Sequence, residues 1–198
     1  PYAWGNMLTL FLGADWRACN LECVITDQGT PWARTPKTYH FQSDARNTAV
    51  LQAARMDVVS LANNHTLDFN YRGMVEMLKR LDSAGIAHAG AGLNQDEASR
   101  MVVKEVKGFR IGFLAFTDNE PGWEAGDEHP GTYYVPVEDP DERTALLLSL
   151  VSIARAGVDL LIVSAHWGGN RGSRPPFEHP VLAHALIRAG ADVIFGHS

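Results

Sequence analysis

The stretch Ser60-Leu61-Ala62-Asn63-Asn64-His65-Thr66-Leu67-Asp68 runs small and apolar residues straight into two amides, an imidazole and a carboxylate. A strand that ends in such a cluster presents donors and ligands at its carboxyl end, where open α/β sheets place their chemistry. Polar clusters follow or close three other apolar stretches: Asn20-Leu21-Glu22, His166-Trp167-Gly168 and Gly196-His197-Ser198. If these strands run parallel in one sheet, their ends share an edge. The combined set of carboxylate, amides and imidazoles is what a divalent Mn, Fe, Zn or Ni centre uses, an amide oxygen being able to complete the shell. A carboxylate bridges two ions more readily than an imidazole does, so Glu22 is the candidate bridge.

Each residue also has a plainer use. A lone glutamate in a strand commonly faces solvent or an ion-pair partner. Asn63-Asn64 suits a turn, because asparagine tolerates left-handed φ. His197 could hold a helix N-terminus and His166 could be a half-buried core imidazole. The recurrence of the same residue types at four strand ends is what favours a shared site.

The elements that must position these ends are readable in outline. Residues 7–11 form an apolar run of ambiguous type, and the alternation over 16–25 reads as a strand. Residues 26–36 read as loop and 38–41 as a short extended piece. From Ser43 or Asp44, either a competent N-cap, helical spacing extends to Met56. A buried strand over 57–62 precedes a helix over 71–84 that Gly85 stops. A short strand over 86–89 and a turn-rich 90–95 follow. Runs 101–106 and 110–116 flank Lys107-Gly108-Phe109, a hairpin signal. The polar 117–131 stretch is loop, with 123–129 readable as a lid or, more simply, as a solvated acidic turn. Helices over 140–156 and 180–189 alternate with strands over 158–165 and 192–195. The order argues a mixed sheet or two sheets covered by helices.

Composition narrows the partners. The chain has 198 residues, 45% hydrophobic and 20% charged, enough for one core and one domain over 1–198. A formal charge of −6 disfavours nucleic acid and bulk polyanions. No segment approaches the ~20 apolar residues of a membrane span. Cys19 and Cys23, if extended, stand about 13 Å apart, too far for a disulfide. No P-loop, nucleophile elbow or dinucleotide-binding glycine motif is present.

The four clusters, together with Tyr39-His40-Phe41 and Ala189-Gly190-Ala191-Asp192, resemble the successive signatures of bacterial CapA-type (PGA_cap) poly-γ-glutamate capsule-synthesis proteins. Those proteins are similar in turn to calcineurin-like metallophosphoesterases. The resemblance covers nearly the whole chain in order. It implies an α/β fold, a four-layer α/β/β/α sandwich with mixed sheets, holding two divalent transition metal ions between the sheet edges. It further implies Glu22 as bridging acid, Asn64 as amide ligand, and His166 and His197 as imidazole ligands. His65 would face the scissile phosphate as the catalytic histidine, oriented by Asp68, while Asn20, Asn63 and Trp167 would line the substrate pocket. Nothing before Trp16 supplies the aspartate on the superfamily's first strand, and the family's further ligand after Gly-His would fall past Ser198. Truncation at both ends, with a removed signal, anchor or flanking strands, is therefore the expectation.

The implied activity is that of a metal-dependent phosphoester hydrolase acting on a phosphoester or poly-γ-glutamate-related substrate. Two alternatives stand beside it: a non-hydrolytic component of poly-γ-glutamate synthesis or export, partnered with a membrane synthase, and a metal-free α/β binding module. Localisation stays open between the cytoplasm and the cell envelope of a bacterium.

Overall fold

The computed structural model describes residues 2–137, 141–169 and 174–198. In chain order the elements are α1 (Met7–Gly13), β1 (Ala18–Asn20), β2 (Val24–Ile25), β3 (Gln42–Ser43), α2 (Thr48–Ala53), β4 (Val58–Ser60) and α3 (Asn70–Ser83). There follow β5 (Ala87–Ala89), β6 (Ala91–Gly92), α4 (Gln95–Ala98), β7 (Val102–Val106), β8 (Phe109–Thr117), β9 (Gly131–Thr132), α5 (Glu142–Arg155), β10 (Leu160–His166), α6 (Glu178–Ala189) and β11 (Val193–His197).

Two sheets carry the architecture. One has the parallel order β1-β4-β5; the other has the order β11-β10-β8-β7, parallel except for β7, which forms a hairpin with β8. Strand side chains alternate between faces, and here that alternation sorts them into separate cores. Val58, Ala89, Phe113, Ala115 and Ile162 pack together between the two sheets. Their chain neighbours turn outward: Val59 joins Leu51, Met74, Met77, Leu78 and Leu81 of α2 and α3, while Leu114, Phe116, Leu161 and Val163 join Leu147, Val151, Leu182 and Leu186 of α5 and α6. Three interlayer cores define four layers, α/β/β/α, as the resemblance implied.

The differences from expectation are local. The strand read over 16–25 breaks after Asn20, and its second half, β2, pairs with β3 instead of β4. The break is the turn that carries Glu22. Cys19 and Cys23 are thus not on one extended strand. Both are free and half-buried against the same core, and burial pushes each thiol up to about 11, so neither supplies a thiolate at neutral pH. The helix read from residue 44 opens as a 3-10 turn, with Asp44 accepting from Arg46 N, before α2 proper. The stretch expected as turns near 90–95 contains β6, which pairs with β9, and α4 follows it, capped by the Asn94 side chain. Trp123, read as part of a lid or solvated turn, is 1% exposed and belongs to the α3-side core, while Asp127, Glu128 and His129 are exposed. The opening residue of the helix read over 140–156 lies outside the described residues.

Candidate functional site

The corner after β4 is built on Asn63. Its buried side-chain amide donates both protons, to Leu21 O and to Asn20 Oδ1, each at 3.0 Å. Its Oδ1 accepts from His65 N at 3.0 Å and Thr66 Oγ1 at 3.2 Å. With both donors spent, Asn63 staples the corner to the end of β1 and has no proton left for a ligand. Asn20 passes the constraint on, its Nδ2 donating to Glu22 Oε2 at 2.9 Å. Asn64 behaves oppositely: its Oδ1 is buried and accepts no hydrogen bond among the described residues. An acceptor left so is destabilising by roughly 1–3 kcal/mol.

His65 is 6% exposed and stacks flat on Phe41, with ring centroids 4.0 Å apart and planes 15° apart. Its Nδ1 meets Asp68 Oδ2 at 2.6 Å. A carboxylate oxygen accepts, and the same oxygen accepts from Phe41 N at 2.6 Å, so Nδ1 is the protonated nitrogen. Nε2 is left facing Glu22, 3.9 Å from Oε1.

The second half of the site stands on the other sheet. His166 and His197 are register partners on β10 and β11, with Nδ1 atoms 2.9 Å apart. Ser164 Oγ lies 2.8 Å from His197 Nε2. Burial, reinforced by His197, His65 and Lys37, pushes His166 down to about 3, and burial pushes His197 down to about 4. Both rings are therefore neutral at pH 7, the form in which imidazole binds metal. Trp167 follows His166 and walls a cleft of about 610 Å³ with Gly168, Arg174, Pro176, His179 and Ser198.

The polar strand ends thus come from two sheets, β1 and β4 in one and β10 and β11 in the other, the second of the two arrangements that the element order allowed. Among the described residues no three His, Cys, Asp or Glu side chains converge as a finished metal cage. The donors do fit a transition ion in kind. They comprise two neutral imidazoles, an unpartnered amide oxygen and a carboxylate oriented by Asn20. The 2.9 Å contact between His166 Nδ1 and His197 Nδ1 is a hydrogen bond between the two rings, so one of these nitrogens carries a proton that would have to leave before both could bind one ion.

Sequence reading missed four neighbours of the site: Asp118, His179, Lys37 and Glu120. Asp118, just past β8, accepts from Gly168 N at 3.0 Å and lies 3.4 Å from His179 Nε2, and the His179 ring stacks on Trp167 at 5.1 Å. A signal existed: Thr117-Asp118-Asn119 ends an apolar strand just as the other clusters do. Lys37 and Glu120, which meet at 3.2 Å beside Asp68, carry no comparable pattern.

Comparison with known proteins bears on the family and the fold. The profile of the family described as bacterial capsule synthesis protein PGA_cap matches residues 1–198. A protein of Mycobacterium tuberculosis described as a probable polyglutamine synthesis accessory protein is 34% identical over 207 residues, covering 100% of this chain and 53% of that protein. Capsule biosynthesis protein CapA of Bacillus anthracis is 29% identical over 198 residues, covering 99% of this chain and 47% of that protein. The chain spans about half the length of these relatives. A hypothetical protein from Thermus thermophilus, solved by crystallography, superposes with a TM-score of 0.54 at 19% identity over 96% of this chain and 59% of its own, a likeness of fold.

Proposed function

The chain belongs to the bacterial capsule synthesis protein PGA_cap family, and from that premise we propose that its strand-end site is the centre of a metal-dependent phosphoester hydrolase. Asn64 carries the reading. A buried amide oxygen without a partner among the described residues, next in sequence to a carboxylate-backed histidine, suits a cation far better than it suits a packed core. Asn64, Glu22, His166 and His197 would hold the ions. A pair of divalent ions, when bound, supplies Lewis-acid polarisation of phosphoryl oxygens and a bound water of lowered pKa.

The remaining chemistry belongs to the chain itself. Asn20 fixes the rotamer of Glu22 through Oε2. Asp68 fixes the His65 tautomer at Nδ1, which aims Nε2 at the reacting centre. His65, when protonated, donates its Nε2 proton to the leaving oxygen, a contribution typically worth about 10²–10⁴-fold. Trp167 and its cleft would receive the remainder of the substrate. His65→Ala in the full-length protein is expected to keep its metal content and lose at least about 100-fold in phosphoester turnover. Full turnover in that variant contradicts the role.

The names of the relatives, a probable polyglutamine synthesis accessory protein and a capsule biosynthesis protein, support a second reading as a component of polymer synthesis, in which the chain would act on poly-γ-glutamate without hydrolysis as a partner of a membrane synthase. Full-length protein that binds polyglutamate and cleaves no phosphoester would support it over the first.

A further inference from the structure

Lys37 lies in the irregular stretch between β2 and β3, yet its side chain is only 7% exposed. An ammonium has three protons to place, and three oxygens surround this one. Nζ donates to the backbone carbonyl of Asn64, reaches Glu120 Oε1 at 3.2 Å and stands 3.4 Å from Asp68 Oδ1. It also sits 5.0 Å from the centroid of the Trp123 ring, a favourable place for a cation. Glu120 holds its carboxylate there from a left-handed backbone, φ 55°, which non-glycine residues adopt at a cost.

The other end of this array is the catalytic pair. The Asp68 side chain is fully buried. Its Oδ2 is taken by His65 Nδ1 and Phe41 N. Its Oδ1 accepts no hydrogen bond, and Lys37 is the lysine or arginine paired with it among the described residues. Removing one partner of a buried ion pair strands the other charge. We propose that Lys37 is a positioning residue of the His65–Asp68 pair: by drawing Oδ1 toward its ammonium it fixes the carboxylate plane, so that Oδ2 points at His65 Nδ1. The same ammonium, through the Asn64 carbonyl, holds the backbone of the proposed amide ligand. Its importance for turnover rests on the hydrolase reading, but its effect on the pair can be read without turnover.

The test uses full-length, metal-free protein and the far-downfield NMR resonance of the His65 Nδ1 proton, assigned by its loss in Asp68→Asn. In Lys37→Met the resonance is expected to broaden or move toward that of a water-exposed imidazole. In metal-loaded protein kcat should fall about 100-fold with KM little changed, the scale of a misplaced reacting group. An unchanged resonance in a folded Lys37→Met protein, with only a lower melting temperature, overturns the proposal. If Lys37→Met does not fold, the Lys37→Met, Asp68→Asn double variant decides: regained folding shows that the lysine serves Asp68, and continued unfolding contradicts it. Absence of turnover in the wild type would sink the hydrolase reading and leave the resonance experiment intact.

Discussion

Asn63 and Asn64 are neighbours of one chemical type with opposite duties, one saturated by its own turn and the end of β1, the other left with an oxygen that accepts no hydrogen bond among the described residues. Their sequence marks the corner but not this division, because the division depends on which amide meets Leu21 and Asn20 at the end of the neighbouring strand. Glu22, His65, Asp68, His166 and His197 were legible, since each closes or follows an apolar strand. Lys37 was not, since a single lysine in a loop looks like any solvated lysine until the fold buries it. The imidazole pair gives a prediction at this scale. The unfolded chain protonates its histidines near the ordinary value of about 6.5, whereas folded His166 and His197 stay neutral down to about 3 and 4. The unfolded state therefore binds more protons in between. The metal-free protein should have its full stability from this pair above about pH 6.5 and lose it progressively toward pH 4. Urea midpoints at pH 7 and pH 4.5 measure this loss, and His197→Gln should make it shallower. Midpoints that respond equally in wild type and variant contradict it.

At the scale of elements, the long helices and the β7–β8 hairpin were legible because their apolar periods run for many residues, and the boundaries of α3 shifted by one residue at each end. The break between β1 and β2 was not, because alternation continues across it while pairing does not. Irregular residues 26–41 are also better fixed than their composition suggests. Trp32 is buried at 4% exposure, packs edge-on to Trp123, and donates its backbone N–H to Asp68 O at 2.8 Å. The site corner leans on Gly90 as well. That residue has φ +90°, and a Cβ there would stand 2.5 Å from the Cβ of Ala62 and 2.9 Å from that of Ala115. Gly90→Ala should destabilise by about 2 kcal/mol or more and displace the turn that follows Ala62. Chemical denaturation measures the first effect and the amide spectrum of residues 63–65 the second. A neutral change in both would mean the two sheets can part at this point without cost.

For the whole molecule, the four-layer order and a site between the sheet edges followed from the element sequence and the resemblance, but the pattern of polar strand ends by itself did not divide those strands between two sheets. Parallel strands in one sheet and strands in two facing sheets give the same pattern of polar ends. Only the pairing of β10 and β11 with each other, away from β1 and β4, separates the cases. The family match and the half-length coverage of the relatives make the full-length protein the proper object of study. Its metal content tests the central claim most directly, measured by elemental analysis on protein purified without chelators, beside Asn64→Ala and His166→Ala. The strand-end centre predicts about two transition ions per wild-type chain and a clear loss in each folded variant. Wild-type protein without stoichiometric metal, or variants that keep all of it, would contradict it.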